Sequence, residues 1–256
     1  VHPTPAHLWR DLDAEGRDAL TVPHHTKASG GVDWRYRHDR YQRLVEICSK
    51  WGYSEAGGPH SVQAALAMGH RLGFVGGTDS HYGLANQGSY HVNDGNGLAA
   101  VAATGLTRDA LWQALYDRRC YATTGDRIVL NFSLSLAGPA PSAEAAGARN
   151  GGGPFPMGSD LAVDLAAVGP RTLHIRLAGT ATIDLVEVLR NNEVVYTARP
   201  GTDAWGGEWT DAAPLPPLAL APTFAGDRPF VFYYLRVIQA NRQIAWASPI
   251  WLTQRV

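Results

Sequence analysis

The sequence predicts an α/β layer followed by an antiparallel β-sandwich, and three observations carry that reading. Residues 1–128 alternate helical and extended signals, the pattern of strands joined by helices with parallel pairing. After Ile128 the helical periodicity stops. Beyond it come short alternating segments separated by turn residues, as expected of a sandwich of about 100 residues. Two domains are therefore predicted, 1–128 and 129–256.

Each element has its own signal. Thr4 offers a capping hydroxyl and Pro5 suits the first helical position, so a helix over 6–15 follows, with Leu8, Trp9 and Leu12 on one face and Gly16 as its stop. Residues 19–22 read as a short strand that ends in Pro23-His24-His25. Further strands are expected over 44–48, 73–77 and 98–103. Ser61 caps a helix reaching about Arg71. Thr107 opens another, with Asp109 in its first turn and Arg118-Arg119 in its last, each matched to the helix dipole. Residues 138–153 are rich in Pro, Ala and Gly and predict a long loop. Residues 173–177 alternate apolar and polar side chains, as a half-buried strand does. Two hairpins follow, one turning at Arg190-Asn191-Asn192 and one at Gln239-Ala240-Asn241-Arg242.

Composition excludes several classes. Of 256 residues, 45% are hydrophobic and 18% charged, which is globular rather than disordered. Lys+Arg 22 against Asp+Glu 23 leaves a formal charge of −1, so no nucleic-acid partner is expected from bulk charge. No apolar run is long enough for a membrane span. Cys48 and Cys120 are too few for a disulfide framework or a multi-thiolate zinc site, and read as buried thiols. Val1-His2-Pro3 shows no targeting segment, which leaves the compartment open between cytoplasmic and periplasmic or secreted. The glycine fingerprints of nucleotide cofactors, the serine-hydrolase elbow and His-Glu-x-x-His are all missing.

The chemistry concentrates at predicted strand ends. Gly76-Gly77-Thr78-Asp79-Ser80-His81 closes an apolar strand, and in extended backbone Asp79 and His81 point the same way. Oxygen and nitrogen ligands so placed suit zinc, manganese or iron; otherwise Asp79 caps the next segment. His24 and His25 end another strand, where alternation lets one of them reach a given centre. Glu46 lies between Val45 and Ile47, so it is either a ligand or a partner of one, or else the polar face of an edge strand. Arg35 and Arg37 sit in a basic, aromatic run, which is a substrate-gripping loop or a solvated face.

Pro23-His24-His25-Thr26, residues 44–49 with Trp51-Gly52-Tyr53-Ser54-Glu55, and Gly77-Thr78-Asp79-Ser80-His81 together resemble the PHP (polymerase and histidinol phosphatase) superfamily. Within it the chain looks like the C-terminal part of a bacterial family of unknown function, a likeness that residues 106–112 and 119–125 strengthen. The resemblance implies a partial PHP-type (β/α) barrel before the sandwich and up to three divalent ions. It also implies metal ligation by Asp79, His81, His24 or His25, with Glu46 nearby. The family's opening His-x-His is absent here, so the expected partner is a missing N-terminal part of the same protein or a second chain.

Two functions follow as expectations. The first is a metal-dependent hydrolase, a phosphoesterase using metal-activated water on a small phosphorylated substrate, with Arg35 or Arg37 gripping it. The alternative is a non-catalytic binding module whose β-sandwich recognises a glycan or protein partner.

Overall fold

The computed structural model describes residues 4–27, 30–80, 97–137 and 154–255. The expected loop over 138–153 lies outside these residues. The first half contains α1 (Pro5–Ala14), β1 (Leu44–Ser49), β2 (Gly52–Tyr53), α2 (Val62–Met68), β3 (Gly73–Gly76), β4 (Leu98–Val101), α3 (Arg108–Tyr116) and β5 (Cys120–Thr123). Then come β6 (Val129–Leu136), β7 (Phe155–Pro156), β8 (Asp160–Val163), β9 (Arg171–Arg190) and β10 (Glu193–Ala198). The chain closes with β11 (Thr202–Asp211), β12 (Phe230–Gln239), β13 (Ile244–Ala247) and β14 (Ile250–Gln254).

The helix starts obey capping chemistry. Ser61 Oγ accepts from the Ala64 N–H and Thr107 Oγ1 from the Ala110 N–H, both at 3.2 Å. Thr4 instead bonds the His7 ring at 2.7 Å. At the other end of α3 the expectation fails: the helix stops at Tyr116, and Arg118, at φ 59°, turns beneath the sheet rather than extending the last turn.

The expected parallel layer reduces to one pair. β1 and β3 run parallel, with β2 antiparallel on the other edge of β1, in the order β2-β1-β3. β4 and β5 pair antiparallel, and β5 joins β13, so both belong to an eleven-stranded sheet. Among the described residues there is thus no PHP-type barrel, and the fold is mostly β. The physical reason is that a short apolar run such as Leu98-Ala99-Ala100-Val101 carries no information about the direction of its neighbour. The sheet runs across the position 128/129, which falls between β5 and β6. Residues 19–22 form no strand either. That segment is tied by the Thr21 N–H to Tyr41 O at 2.8 Å, and Pro23 O accepts from the Glu46 N–H at 3.0 Å.

The larger sheet is buried on both faces where it meets the smaller one. Along β12, Val231, Tyr233, Leu235 and Val237 enter one core, while Phe230, Phe232 and Tyr234 enter the other. β13 and β14 alternate in the same way, with Trp246 and Trp251 on the second face. That second core also holds Val45, Ile47, Leu66 and Phe74, so the parallel pair and α2 pack directly on the sheet. Double burial explains why these strands read as nearly continuous apolar runs.

Two predicted strand boundaries shift. Residues 173–177 and 183–189 belong to one strand, β9, which pairs β6 and β11 along its first part and β12 and β10 along its last. The bend between is held by Gln239, whose Oε1 accepts from the Thr180 and Ala181 N–H groups at 2.8 and 3.2 Å. With those donors satisfied, the strand curls instead of ending. Conversely, the strand expected over 244–252 splits at Ser248-Pro249, where Ser248 Oγ leaves the ladder to donate to Cys120 O at 2.5 Å and accept from Phe74 N at 2.8 Å. Both cysteines are free and buried, and burial raises each thiol to about 12.

One buried group makes stability pH-dependent. His70 packs against Trp34 and Phe224, and its Nε2 donates to Trp34 O at 2.8 Å. Burial, above all, lowers its pKa from 6.5 to about 4. The folded imidazole therefore stays neutral while the unfolded one takes a proton. Its contribution is complete above about pH 6.5 and is lost as pH falls towards 4, by roughly 3 kcal/mol in total. Urea titrations across that window should show the decline, and His70→Gln should flatten it. An identical slope in the variant would place the effect elsewhere.

Candidate metal centre

The centre lies towards the carboxyl end of the β1–β3 pair, from Glu46 within β1 to Asp79 beyond β3. Pro23 O accepts from the Glu46 N–H, which brings the 23–25 segment beside the middle of β1. Ring and carboxylate atoms of His24, His25 and Glu46 consequently lie within 4.8 Å of one another. Both histidines reach the cluster, contrary to simple alternation, and their ring centroids are 4.3 Å apart. The reason is local: His25 has φ 47°, so the chain leaves the extended conformation there.

Glu46 is not on an edge, because β1 is the central strand of its sheet. The register of β1 against β3 shifts between Glu46 and Cys48, a bulge of the kind that re-aims side chains near sites. Burial raises the Glu46 pKa, and the His25 backbone N–H, the two imidazoles and the Ser49 hydroxyl only partly offset it. A Cβ on Gly77 would fall on Glu46 Oε2, so any larger residue there would push that carboxylate aside.

Asp79 completes the group. It too has positive φ, 48°, and its Oδ2 sits 3.2 Å from His25 Nε2 and 3.6 Å from Lys50 Nζ. Trp51 Nε1 donates to the same oxygen. Two ligand atoms on one tetrahedral zinc ion are separated by roughly 3.4 Å, so the His25–Asp79 spacing fits shared coordination. Backbone outliers at two polar residues facing each other are the usual mark of a site held in place by its surroundings. The turn at Asp79 also ends the extended geometry expected to align it with His81, and His81 lies outside the described residues.

The arginines are elsewhere. Arg35 is exposed and paired with Asp33, its Nη2 at 2.8 Å from Oδ2. Arg37 is clamped between Asp39 and Asp227 and stacks on Phe224, lining a different pocket. What borders the centre is His24's own neighbour, a largely apolar cleft of ≈ 690 Å³ between Trp9, Val22 and Tyr36. Lys50 and Trp51 escaped the sequence reading. Their position immediately after an apolar strand was the available signal.

Comparison with known proteins adds lineage without chemistry. Residues 85–189 match the family described as Protein of unknown function (DUF3604). An uncharacterized protein of Chlamydia pneumoniae is 34% identical over 261 residues, covering 92% of this chain and 38% of that protein. One from Chlamydia trachomatis is 33% identical with the same coverage. The chain therefore spans 38% of the length of these curated relatives. Among solved structures, a CARDB domain from Pyrococcus furiosus is similar at 9% identity and a TM-score of 0.23, covering 49% of this chain and 95% of that one, too weak a likeness to bear on the fold. The resemblance to the PHP superfamily is thereby corrected. The family model that matches, over residues 85–189, is DUF3604, and the strand order of this chain contains no PHP barrel among the described residues. The motifs that suggested it are short strand-end patterns, which unrelated folds share. What stands is a β-rich domain of unknown function with bacterial relatives. No helix among the described residues is long and apolar enough to cross a membrane.

Proposed function

We propose that the chain binds a divalent transition metal through His24, His25, Glu46 and Asp79 and uses it to hydrolyse a small phosphate ester. The observation that carries this reading is the convergence of two imidazoles and a carboxylate within 4.8 Å, with a second carboxylate 3.2 Å from one imidazole. Such nitrogen and oxygen donors suit zinc, manganese or iron. An ion held there would acidify water and neutralise phosphoryl oxygens. The chain's own groups supply the rest. Lys50 offers a positive charge beside Asp79, and the apolar cleft that His24 borders accepts an organic leaving group.

The test is metal content per chain by elemental analysis after loading with zinc or manganese, followed by p-nitrophenyl phosphate turnover. Wild type is expected to hold metal and hydrolyse the ester. Glu46→Gln with His25→Ala should abolish both, and Gly77→Ala, which crowds the Glu46 carboxylate while leaving every proposed ligand in place in the sequence, should weaken metal binding by about 10- to 100-fold. Wild type that retains no metal, or variants that retain as much, would overturn the reading.

A further inference from the structure

A second site lies at the opposite end of the same strand pair. Arg43 precedes β1, Arg71 precedes β3, and Arg118 lies beneath Gly73, so three guanidinium groups meet where β1 and β3 begin. With Arg37 and Arg228 they line a pocket of ≈ 490 Å³, against which stand three carboxylates, those of Asp39, Asp160 and Asp227. Five positive charges less three negative ones leave an excess of two.

The carboxylates are already committed. Asp39 and Asp227 both hold Arg37, and Asp160 takes Arg71 Nε at 3.0 Å while accepting from Thr253. Arg43 donates to two carbonyls, Tyr116 O at 2.9 Å and Asp39 O at 3.1 Å, and lies over the Tyr116 ring. Arg118 is the decisive residue. It is 2% exposed and lies over the Trp251 ring. Its Nε donates to Gly158 O at 3.1 Å, and its Nη1 has no partner. A buried guanidinium left so is costly, and native proteins seldom leave one without an anion. Burial, reinforced by Arg43 and Arg71 and only partly offset by Asp160 and Asp117, lowers its pKa to about 9, the direction that a bound anion reverses.

We propose that this pocket binds a phosphate-type dianion, either inorganic phosphate or the phosphate group of a small metabolite. Two charges match the excess, and tetrahedral oxygens suit several converging guanidinium forks better than a single carboxylate does. The volume exceeds that of phosphate alone and lies within the ordinary range for small-molecule sites, roughly 300–1,000 Å³. The site is independent of the proposed metal centre.

Calorimetric titration of EDTA-treated protein with inorganic phosphate and with glycerol 3-phosphate, against sodium chloride of equal ionic strength, tests it. Saturable binding of one phosphate group per chain is expected, weakened about tenfold or more by Arg118→Met. Tighter binding of the ester would assign the ligand as an organic phosphate, and equal binding would assign free phosphate. Both outcomes support the site. Arg228→Glu, at the exposed rim, should weaken binding several-fold without disturbing the fold, and it decides the matter if Arg118→Met does not fold. No heat beyond the chloride control, or affinity unchanged in a folded Arg118→Met or in Arg228→Glu, would overturn the proposal.

Discussion

Glu55→Ala is expected to destabilise the protein by about 3–5 kcal/mol, a large part of the stability of an ordinary domain. Glu55 follows β2 and is buried, yet its partners come from the large sheet. The Tyr234 hydroxyl donates at 2.8 Å, Trp246 Nε1 at 2.9 Å, and Arg236 Nη1 at 2.9 Å to both oxygens. Truncation leaves an indole N–H and a phenol without acceptors. It also leaves Arg236 with Glu187 alone, at 2.7 Å. Glu55→Gln keeps the volume but turns an amide N–H₂ towards groups that already donate, so an intermediate loss is expected. Guanidinium titrations should show a lower midpoint at unchanged slope. A loss under about 1 kcal/mol in the alanine variant would mean that the carboxylate is dispensable and that apolar packing alone joins the small sheet to the large one.

A second loss of similar size, about 3–5 kcal/mol, is expected from Asp211→Ala. Arg171 is 1% exposed, and Asp211 is its only carboxylate partner among the described residues, 3.0 Å from Nη2. Asp211 Oδ2 also accepts from Arg190 at 2.7 Å and from the Tyr233 hydroxyl at 2.7 Å, and Oδ1 accepts from the Ala213 N–H at 2.9 Å. Burial by itself would raise the Asp211 pKa, but those donors and Arg171 reverse it, and the net direction is down. A carboxylate with a lowered folded pKa contributes fully above its unfolded value, near about 3.9, and loses that contribution as pH falls through the folded value. Thermal unfolding of wild type should therefore weaken below about pH 4, beneath the window set by His70. Asp211→Asn should start lower and fall less steeply there. If it followed the wild-type curve in parallel, the acid sensitivity would belong to other carboxylates.

Much of the candidate centre was legible because polar residues at the ends of apolar strands stand out against their surroundings. His24, His25 and Asp79 were visible on that ground and Glu46 as a carboxylate inside an apolar strand, and four of the five expected ligands are brought close to one another or to a member of the cluster. Their arrangement was not legible. The approach of both histidines depends on a positive φ at His25, and the aim of Glu46 depends on a bulge in β1. Neither is fixed by residue type, since histidine tolerates positive φ without requiring it and glutamate carries no mark of a bulge. Lys50 and Trp51 offered only their position after an apolar strand, which many ordinary loop residues share.

The arginine pocket shows the same limit more sharply. Arg118 reads as a helix-dipole partner, and only the stop at Tyr116 turns it inward towards Arg43 and Arg71. Those residues span 75 sequence positions from Arg43 to Arg118, with strand, helix and loop between them.

Local features were settled by the sequence itself: the capped starts at Ser61 and Thr107, the turns near 190–192 and 239–242, and the apolar character of β12 to β14. Each depends on residues within one or two turns of chain, where hydrogen bonding and side-chain period act directly. Tertiary structure alone decided that β4 and β5 join the large sheet, that β9 curls where Gln239 holds Thr180 and Ala181, and that two charged clusters occupy opposite ends of one strand pair. Side-chain period tells which face of a strand is buried. It says nothing about which strand lies alongside, because that choice is made by contacts far apart in sequence.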